Sequence, residues 1–553
     1  MGSGMNLLPD PPYLGLPDKF TTWRTGQDKA VVDLSDSPRR VFALNAPTGF
    51  GKTATYVGAA VLNRKRTAFL TSTKGLQSQL MADFSSIGMV DVRGQQNYPC
   101  HALQAGGIYY RQGIKPGDRC DAGPCRIGAP CRERRSGCAY FDALKAAQSA
   151  QLVTTNYSFW VAQHRYSDGL GKFDMLVLDE AHDAPDELAQ ALEIEISEYD
   201  VETAAGRSFP SGDDPEVWRV WAIPIDQDLG FDVAALEEHI KELNNYGDRI
   251  PHALMRELHF KKSVLGKVHV LATMEGAWVI ERELHQMKAA PVFPAPYAEE
   301  FLFLNIAKIV LVSATVKEKT LELLGVAPAQ MEYHEYPSLF PTHRRPVTHV
   351  PTVKAHHKWS DVEQRTWVRR IDQVLARRID RKGIIHTGSY QRRDLILTHT
   401  EYRDIMLFND GTNTRQIVER FRRADAPCVL VSPSLTTGWD LPYDECEYAI
   451  LGKVPFPDTR SKITKARDEA DKEYGPYCAI QTIVQAAGRG MRSADDQCEI
   501  LILDDQWMWF WPRYKKFAPQ WFINAVAKRR IVTIPEPLPK LQRRSSCPNP
   551  KFV

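Results

Sequence analysis

The 553-residue sequence carries almost no charge imbalance: 70 Lys and Arg stand against 68 Asp and Glu, a formal net of +2. That excludes a chain that holds polyanions by bulk charge alone, but not one with a local basic groove. No apolar run approaches the ~20 residues needed to span a bilayer. The N-terminal stretch MGSGMNLLPDPPYLGLPDKF has no basic region followed by an apolar one, so it does not read as a secretory signal. No internal repeat is visible. Cysteine is sparse except in one place: five of the ten fall between Cys100 and Cys138, and Cys428, Cys446, Cys478, Cys498 and Cys547 are scattered. A chain of this length buries enough surface to need no disulfide staples. These absences predict a cytoplasmic protein outside the membrane. Its clustered thiols point to metal before disulfides. Hydrophobic residues at 43% and charged residues at 25% are ordinary globular values and argue against wholesale disorder.

The length allows about three to five domains. After a Pro-rich, extended segment (1–19), short apolar runs alternate with helical patterns. The runs lie in RVFALN (Arg40–Asn45), TAFLTST (Thr67–Thr73), KFDMLVLDEAH (Lys172–His182) and KIVLVSAT (Lys308–Thr315). GIIHTGSY, PCVLVSPS and EYAILGK continue the form between Gly383 and Lys453. Continuous apolar runs of this kind are typical of strands buried on both faces, and the alternation predicts βαβ units with parallel sheets. Two stretches interrupt it: a Cys-, Gly- and Pro-rich segment (93–141) and a Glu-, Leu- and Ala-rich helical one (194–293). The expected layout is a first α/β domain at 20–345 holding both insertions, a second at 346–530, and a tail at 531–553. YPSLFPTHRRP (Tyr336–Pro346) is the predicted linker.

APTGFGKT (Ala46–Thr53) lies between a predicted strand and a predicted helix, the setting of a phosphate-binding loop. Backbone N–H groups of such a turn cradle phosphates. Gly49 and Gly51, beside Thr48, permit the close approach, Lys52 would reach the β- and γ-phosphates, and the Thr53 hydroxyl would hold Mg²⁺. Ala46 stands where the usual pattern has its first glycine. In MLVLDEAH, Asp179 leaves the end of a buried strand and can bind Mg²⁺ through water, while Glu180 can orient and deprotonate the attacking water. QAAGRGMR (Gln485–Arg492) offers Gln485 and two arginines, Arg489 and Arg492, spaced to share a helix face and act as arginine fingers. Taken alone, it also reads as a solvated basic helix. SAT (Ser313–Thr315) and SPSLTTGWDLP (Ser432–Pro442), with Gly438 and Asp440 as nucleotide-side candidates, could couple ATP to a bound strand or be ordinary turns.

The order of these pieces resembles the XPD/DinG family of superfamily 2 helicases, from about Phe20 to Asp505. RGQQNYPC (Arg93–Cys100) and GCAYFDALKAAQSAQLVTTNYSFW (Gly137–Trp160) are similar to the family's approaches to and from its cluster cysteines. WRTGQ (Trp23–Gln27) resembles the adenine-reading R-x-x-Q motif, which points to Arg24 and Gln27. TSTKGLQSQL (Thr71–Leu80) resembles a strand-contacting motif; LGKVPFP and YPSLFP are further family-like passages. The resemblance implies two RecA-like parallel-sheet domains, with an iron–sulfur insertion and an arch insertion in the first. It also implies ATP-driven 5′→3′ unwinding by a monomeric motor acting on single-stranded DNA and duplex junctions.

From Cys100 the cysteine spacing is C-x19-C-x4-C-x5-C-x6-C. Iron–sulfur clusters are normally held by four thiolates, so five candidates are one too many. Matching DinG-like spacing selects Cys120, Cys125 and Cys131; matching the text around the family's last ligand selects Cys125, Cys131 and Cys138. Cys100, Cys125 and Cys131 stand in both readings. Tetrahedral zinc is the alternative, and the resemblance implies a 4Fe–4S cluster. Residues 93–145 carry nine Lys/Arg and four Asp/Glu, so the segment is also a candidate strand-contacting surface. Near the C-terminus, WMWFWPRYKKFAPQWF (Trp507–Phe522) is aromatic and basic. Its rings could stack bases or pack a terminal helix. An RNA helicase, or a binding scaffold with a vestigial ATPase, would share many of these features; intact Lys52, Asp179 and Glu180 argue against the scaffold.

Overall fold

The computed structural model describes residues 8–104, 119–127, 131–134, 137–166, 169–245, 251–356, 358–412, 414–433, 446–488, 496–527 and 533–539. Gly438, Asp440, Arg489 and Arg492 lie outside the described residues. The chain forms two compact units. One comprises Met1–Leu44, Lys52–His334 and Asp458–Asp471; the other comprises Asn45–Gly51, Glu335–Pro457 and Lys472–Val553.

The strands of the first unit are, in chain order, β1 (Val41–Asn45), β2 (Thr67–Thr71), β3 (Met89–Asp91), β4 (Leu152–Asn156), β5 (Met175–Asp179), β6 (Ile194–Ser197), β7 (Trp278–Glu283), β8 (Gln286–Pro291), β9 (Lys308–Ser313) and β10 (Met331–Glu335). Seven form one sheet in the order β10-β1-β9-β5-β2-β4-β3. The pairings from β3 through β4, β2 and β5 to β9 are parallel. β1, β2 and β5 are buried along their whole length, which is why their sequences are unbroken apolar runs rather than alternating ones. Helices cover both faces, as parallel crossovers require. Trp160, fully buried, donates its indole N–H to the Leu302 carbonyl at 2.9 Å.

The segment expected to be helical is partly a sheet. β6, β8 and β7 make a three-stranded antiparallel sheet, and the 31-residue helix Pro215–Asn245 packs against the 21-residue helix His252–Ala272. The alternating burial of WVIERE and QMKAAP is the two-residue period of a half-buried hairpin, which the surrounding Glu- and Leu-rich helices obscure in the sequence. Helix Lys462–Ala470, emitted by the second half of the sequence, is tied into this first unit by ions. Arg467 reaches Asp186 at 2.7 Å and the Val292 carbonyl at 2.8 Å, Lys462 reaches Asp213 at 2.9 Å, and Asp471 meets the buried Lys319 at 2.7 Å.

The second unit is built on β11 (Val347–His349), β12 (Lys382–His386), β13 (Met406–Phe408), β14 (Cys428–Ser432), β15 (Tyr448–Leu451) and β16 (Glu499–Ile502), in the order β11-β16-β15-β12-β14-β13. All five pairings are parallel. Asp504, just past β16, accepts backbone N–H groups from Ala355, Val454 and Gln506, and so pins three loops at the ends of the strands. Two RecA-like parallel-sheet α/β units are therefore present, as the motif order implies. Among the described residues no helix is long and apolar enough to cross a membrane.

Candidate nucleotide site and cysteine cluster

The phosphate-loop candidate follows β1 and runs directly into helix Lys52–Leu62. Gly49 and Gly51 sit at φ +82° and +83°, a left-handed backbone that side chains with a Cβ rarely adopt. Helix Gln27–Asp36 packs on Lys52–Leu62. Gln27 is buried, and its Oε1 accepts the Arg24 backbone N–H at 2.6 Å, while the Arg24 side chain is exposed. Gly58 lets the Trp23 ring lie against the phosphate-loop helix, since a Cβ there would stand 2.8 Å from the indole.

Asp179 closes β5 and is 7% exposed. The hydroxyl of Tyr56 donates to its Oδ2 at 3.2 Å, and the Tyr157 hydroxyl holds its backbone carbonyl at 3.1 Å. Burial, then the neighbouring Glu180 charge, push the Asp179 carboxyl up to about 7; Lys52 opposes them. Two adjacent carboxylates facing one lysine lack positive charge, and a divalent cation fits that deficit. Glu180 has φ +50°, unusual for a residue with a Cβ. Its Oε2 accepts from Ser313 Oγ at 3.3 Å, and Ser313 Oγ is 2.7 Å from His182 Nδ1. His182 Nε2 lies 3.1 Å from Asp183. Burial alone would lower the His182 pKa, but Asp183 and Glu180 carry it above the ordinary value. SAT is thus joined to DEAH by side-chain hydrogen bonds. Neither Ser313 nor His182 was singled out as a catalytic-site residue from sequence, although SAT was visible as a motif after a strand. Tyr56 and Tyr157 gave no signal beyond being aromatics near the motifs.

In the second unit, helix Tyr474–Gly488 carries the half-buried Gln485. A Cβ on Gly488 would stand 3.2 Å from Thr48 Oγ1, so the backbone leading into Arg489 lies against the phosphate-loop turn. The aromatic tail is largely core. Trp507, Phe510, Trp521 and Phe522 are buried, Trp507 stacks on Trp511 at 4.9 Å, and Trp509 stays partly exposed with Arg513 over it.

The five clustered cysteines carry no disulfide. Cys100, Cys120 and Cys138 are buried; Cys125 and Cys131 are half-buried. An antiparallel bridge between Pro99 and Arg119 sets Cys120 beside Cys100, and the Cys120 thiol donates to the Pro99 carbonyl at 3.1 Å. A Cβ on Gly123 would come within 3.0 Å of Cys100 Sγ. Burial pushes Cys120 up to about 12, with Cys138 and Cys100 adding to the rise. Burial, followed by neighbouring thiols, also raises Cys125, and Cys131 rises through burial with Cys100 and Cys138 contributing. Cys100 and Cys138 are the two thiols felt by all three of the others. The donor set therefore fits a thiophilic metal centre, which would supply the positive charge that lets converging thiols ionise. Among the described residues, however, no three His, Cys, Asp or Glu side chains are grouped closely enough to hold a metal ion.

Parallel-sheet units of this kind, with a phosphate-loop turn and a strand ending in DEAH, have counterparts among known helicase domains. The family model for the helicase C-terminal domain matches residues 373–525, and the model for the Type III restriction enzyme res subunit matches residues 21–203. A solved XPD helicase structure is similar at TM-score 0.56 and 16% identity, covering 93% of this chain and 98% of that one. An apo XPD structure is similar at TM-score 0.51 and 15% identity, with 89% and 98% covered. Xpd4 of S. tokodaii is similar at 0.53 and 13% identity, with 91% and 99% covered. At such identities the structural likeness establishes the fold. No curated protein sequence matches the chain. The chain thus carries a region matching a helicase C-terminal domain and a region matching the Type III restriction enzyme res subunit, on a fold like that of the XPD structures.

Proposed function

We propose that this protein is a DNA helicase of DinG type that moves 5′→3′ on single-stranded DNA and carries a 4Fe–4S cluster. In this reading residues 20–345 form one motor domain, with insertions at 93–141 and 194–293, and residues 346–530 form the other. The observation that carries the enzymatic part is the joined group of Lys52, Asp179, Glu180, Ser313 and His182. Lys52 and the loop N–H groups bind the β- and γ-phosphates. Thr53 and Asp179 would hold Mg²⁺, which when bound neutralises charge on the phosphates. Glu180 orients water and accepts its proton; Ser313 fixes the carboxylate, and His182 with Asp183 fixes Ser313. Gln27 and Arg24 are assigned to adenine, and Arg489 and Arg492 to charge on the transferring phosphoryl group. Gly438 and Asp440 are assigned to the nucleotide side of the second domain.

For the cluster, the favoured ligands are Cys100, Cys125, Cys131 and Cys138. The Cys120 thiol donates to the Pro99 carbonyl as well as pairing with Cys138, whereas Cys138 is felt by Cys120, Cys125 and Cys131. The cluster would brace a Gly- and Pro-rich segment. The protein purified without oxygen is expected to be brown, with broad absorbance at about 400 nm. Cys138→Ser is expected to lose iron and colour, and Cys120→Ser to keep both. A colourless, zinc-loaded wild type would reject the iron reading, and iron loss in Cys120→Ser but not Cys138→Ser would reverse the ligand assignment.

A further inference from the structure

Within the phosphate-loop turn the Phe50 N–H donates to the Pro47 carbonyl at 3.2 Å, and two of the loop's residues are glycines at positive φ. Glycines give the free chain many conformations to lose. Yet Phe50 is buried to 1% exposure, and the loop belongs to the same compact unit as the passage Tyr336–Arg345. The Tyr336 N–H donates to the Asn45 carbonyl at 2.8 Å, and the Tyr336 and Phe50 rings lie 5.3 Å apart. The tip of the Phe340 ring meets Gly49. A Cβ built on that glycine would stand 2.2 Å from Cζ, 2.9 Å from Cε2 and 3.1 Å from Cε1. A side chain larger than hydrogen there would have to displace the Phe340 ring.

Phe340 is itself anchored. Its carbonyl accepts from Arg345 Nη2 at 3.2 Å, and the Arg345 guanidinium lies 4.8 Å over the Trp521 ring. Arg345 is 5% exposed, and among the described residues its Nε has no hydrogen-bond partner. Burial lowers its pKa to about 10, which leaves it charged at neutral pH.

We propose that Phe340 is a positioning residue for ATP binding, its ring holding Gly49 so that the phosphate loop stands preformed before the nucleotide arrives. The inference rests on reading residues 46–53 as the ATP phosphate loop, and goes beyond it by placing control of the loop in the passage Tyr336–Arg345. Preforming a binding loop lowers the ordering cost of binding without touching the reacting atoms. Phe340→Ala is therefore expected to raise the KM for ATP and the Kd for a fluorescent ATP analogue about tenfold, with kcat nearly unchanged. Phe340→Leu should recover most of the affinity. Phe340→Tyr should not, because its hydroxyl grows from Cζ, the ring atom nearest Gly49.

Full-length protein with Mg²⁺ and ATP serves for all three variants, with Tm measured alongside and Lys52→Ala run in parallel. A KM that rises in Phe340→Ala and Phe340→Tyr at a wild-type Tm supports the proposal. Wild-type KM and Kd in both variants would overturn it, as would a fall in kcat alone. If Phe340→Ala does not fold, the contrast between Leu and Tyr decides the matter in the same way. Lys52→Ala separates the two layers: if it too binds ATP normally, the phosphate-loop reading has failed, whereas if it alone loses ATP, only the role of Phe340 has.

Discussion

Glu180→Gln is expected to bind ATP like the wild type and to hydrolyse it about 10²–10⁴-fold more slowly, the range lost with a general base. The amide keeps the size and shape of the carboxylate, so the hydrogen bond from Ser313 can survive. It cannot accept a proton from water. The side chain is 31% exposed, open enough to meet solvent, whereas Asp179 beside it is almost closed off. That difference in burial splits the roles of two adjacent carboxylates: the shielded one suits a fixed cation, the open one a moving proton. Nucleotide binding together with single-turnover phosphate release checks this. Near-wild-type turnover would remove Glu180 from the base role.

Arg489→Ala and Arg492→Ala are each expected to lower kcat about 10³-fold or more, with KM for ATP changed far less, since arginine fingers act on charge that develops in the transition state. The placement supporting this is the close approach of Gly488 to Thr48, which brings the end of helix Tyr474–Gly488 to the phosphate-loop turn. A solvated basic helix would behave differently. Both variants would then hydrolyse ATP normally, and steady-state kinetics on the two proteins would show it.

The parts of the fold legible in the sequence were those where burial is complete. MLVLD, VFALN and CVLVS are apolar runs because each strand is buried along its whole length; β5 is central in its sheet, and β1 and β14 each lie one strand in from an edge. Short strands such as β3 and β13, three residues each, lack the length to make a pattern. The hairpin of β7 and β8 was hidden between helices, since six-residue alternation is easily absorbed into a neighbouring helical period. The site followed the same division. Lys52, Asp179 and Glu180 could be named because their spacing to glycines and to a strand end is imposed by phosphate chemistry. Ser313 was visible only as part of the SAT motif, and the contacts of His182 and Phe340 were not, because they depend on which segments meet in space. The bond from Ser313 to Glu180 joins residues 133 positions apart. Likewise, spacing alone left Cys120 and Cys138 level, and the hydrogen bond from Cys120 to the Pro99 carbonyl is a contact that spacing does not show.

The most direct test is strand separation by the wild type and by Glu180→Gln, with ATP and Mg²⁺, on DNA and RNA duplexes bearing a single-stranded tail at either the 5′ or the 3′ end. The expected result is unwinding of the 5′-tailed DNA by the wild type alone, dependent on ATP, with the 3′-tailed DNA and both RNA duplexes left paired. Unwinding of 3′-tailed DNA or of RNA would contradict the proposed direction or substrate. Equal unwinding by Glu180→Gln, or by the wild type without ATP, would contradict the claim that hydrolysis at this site drives the motor.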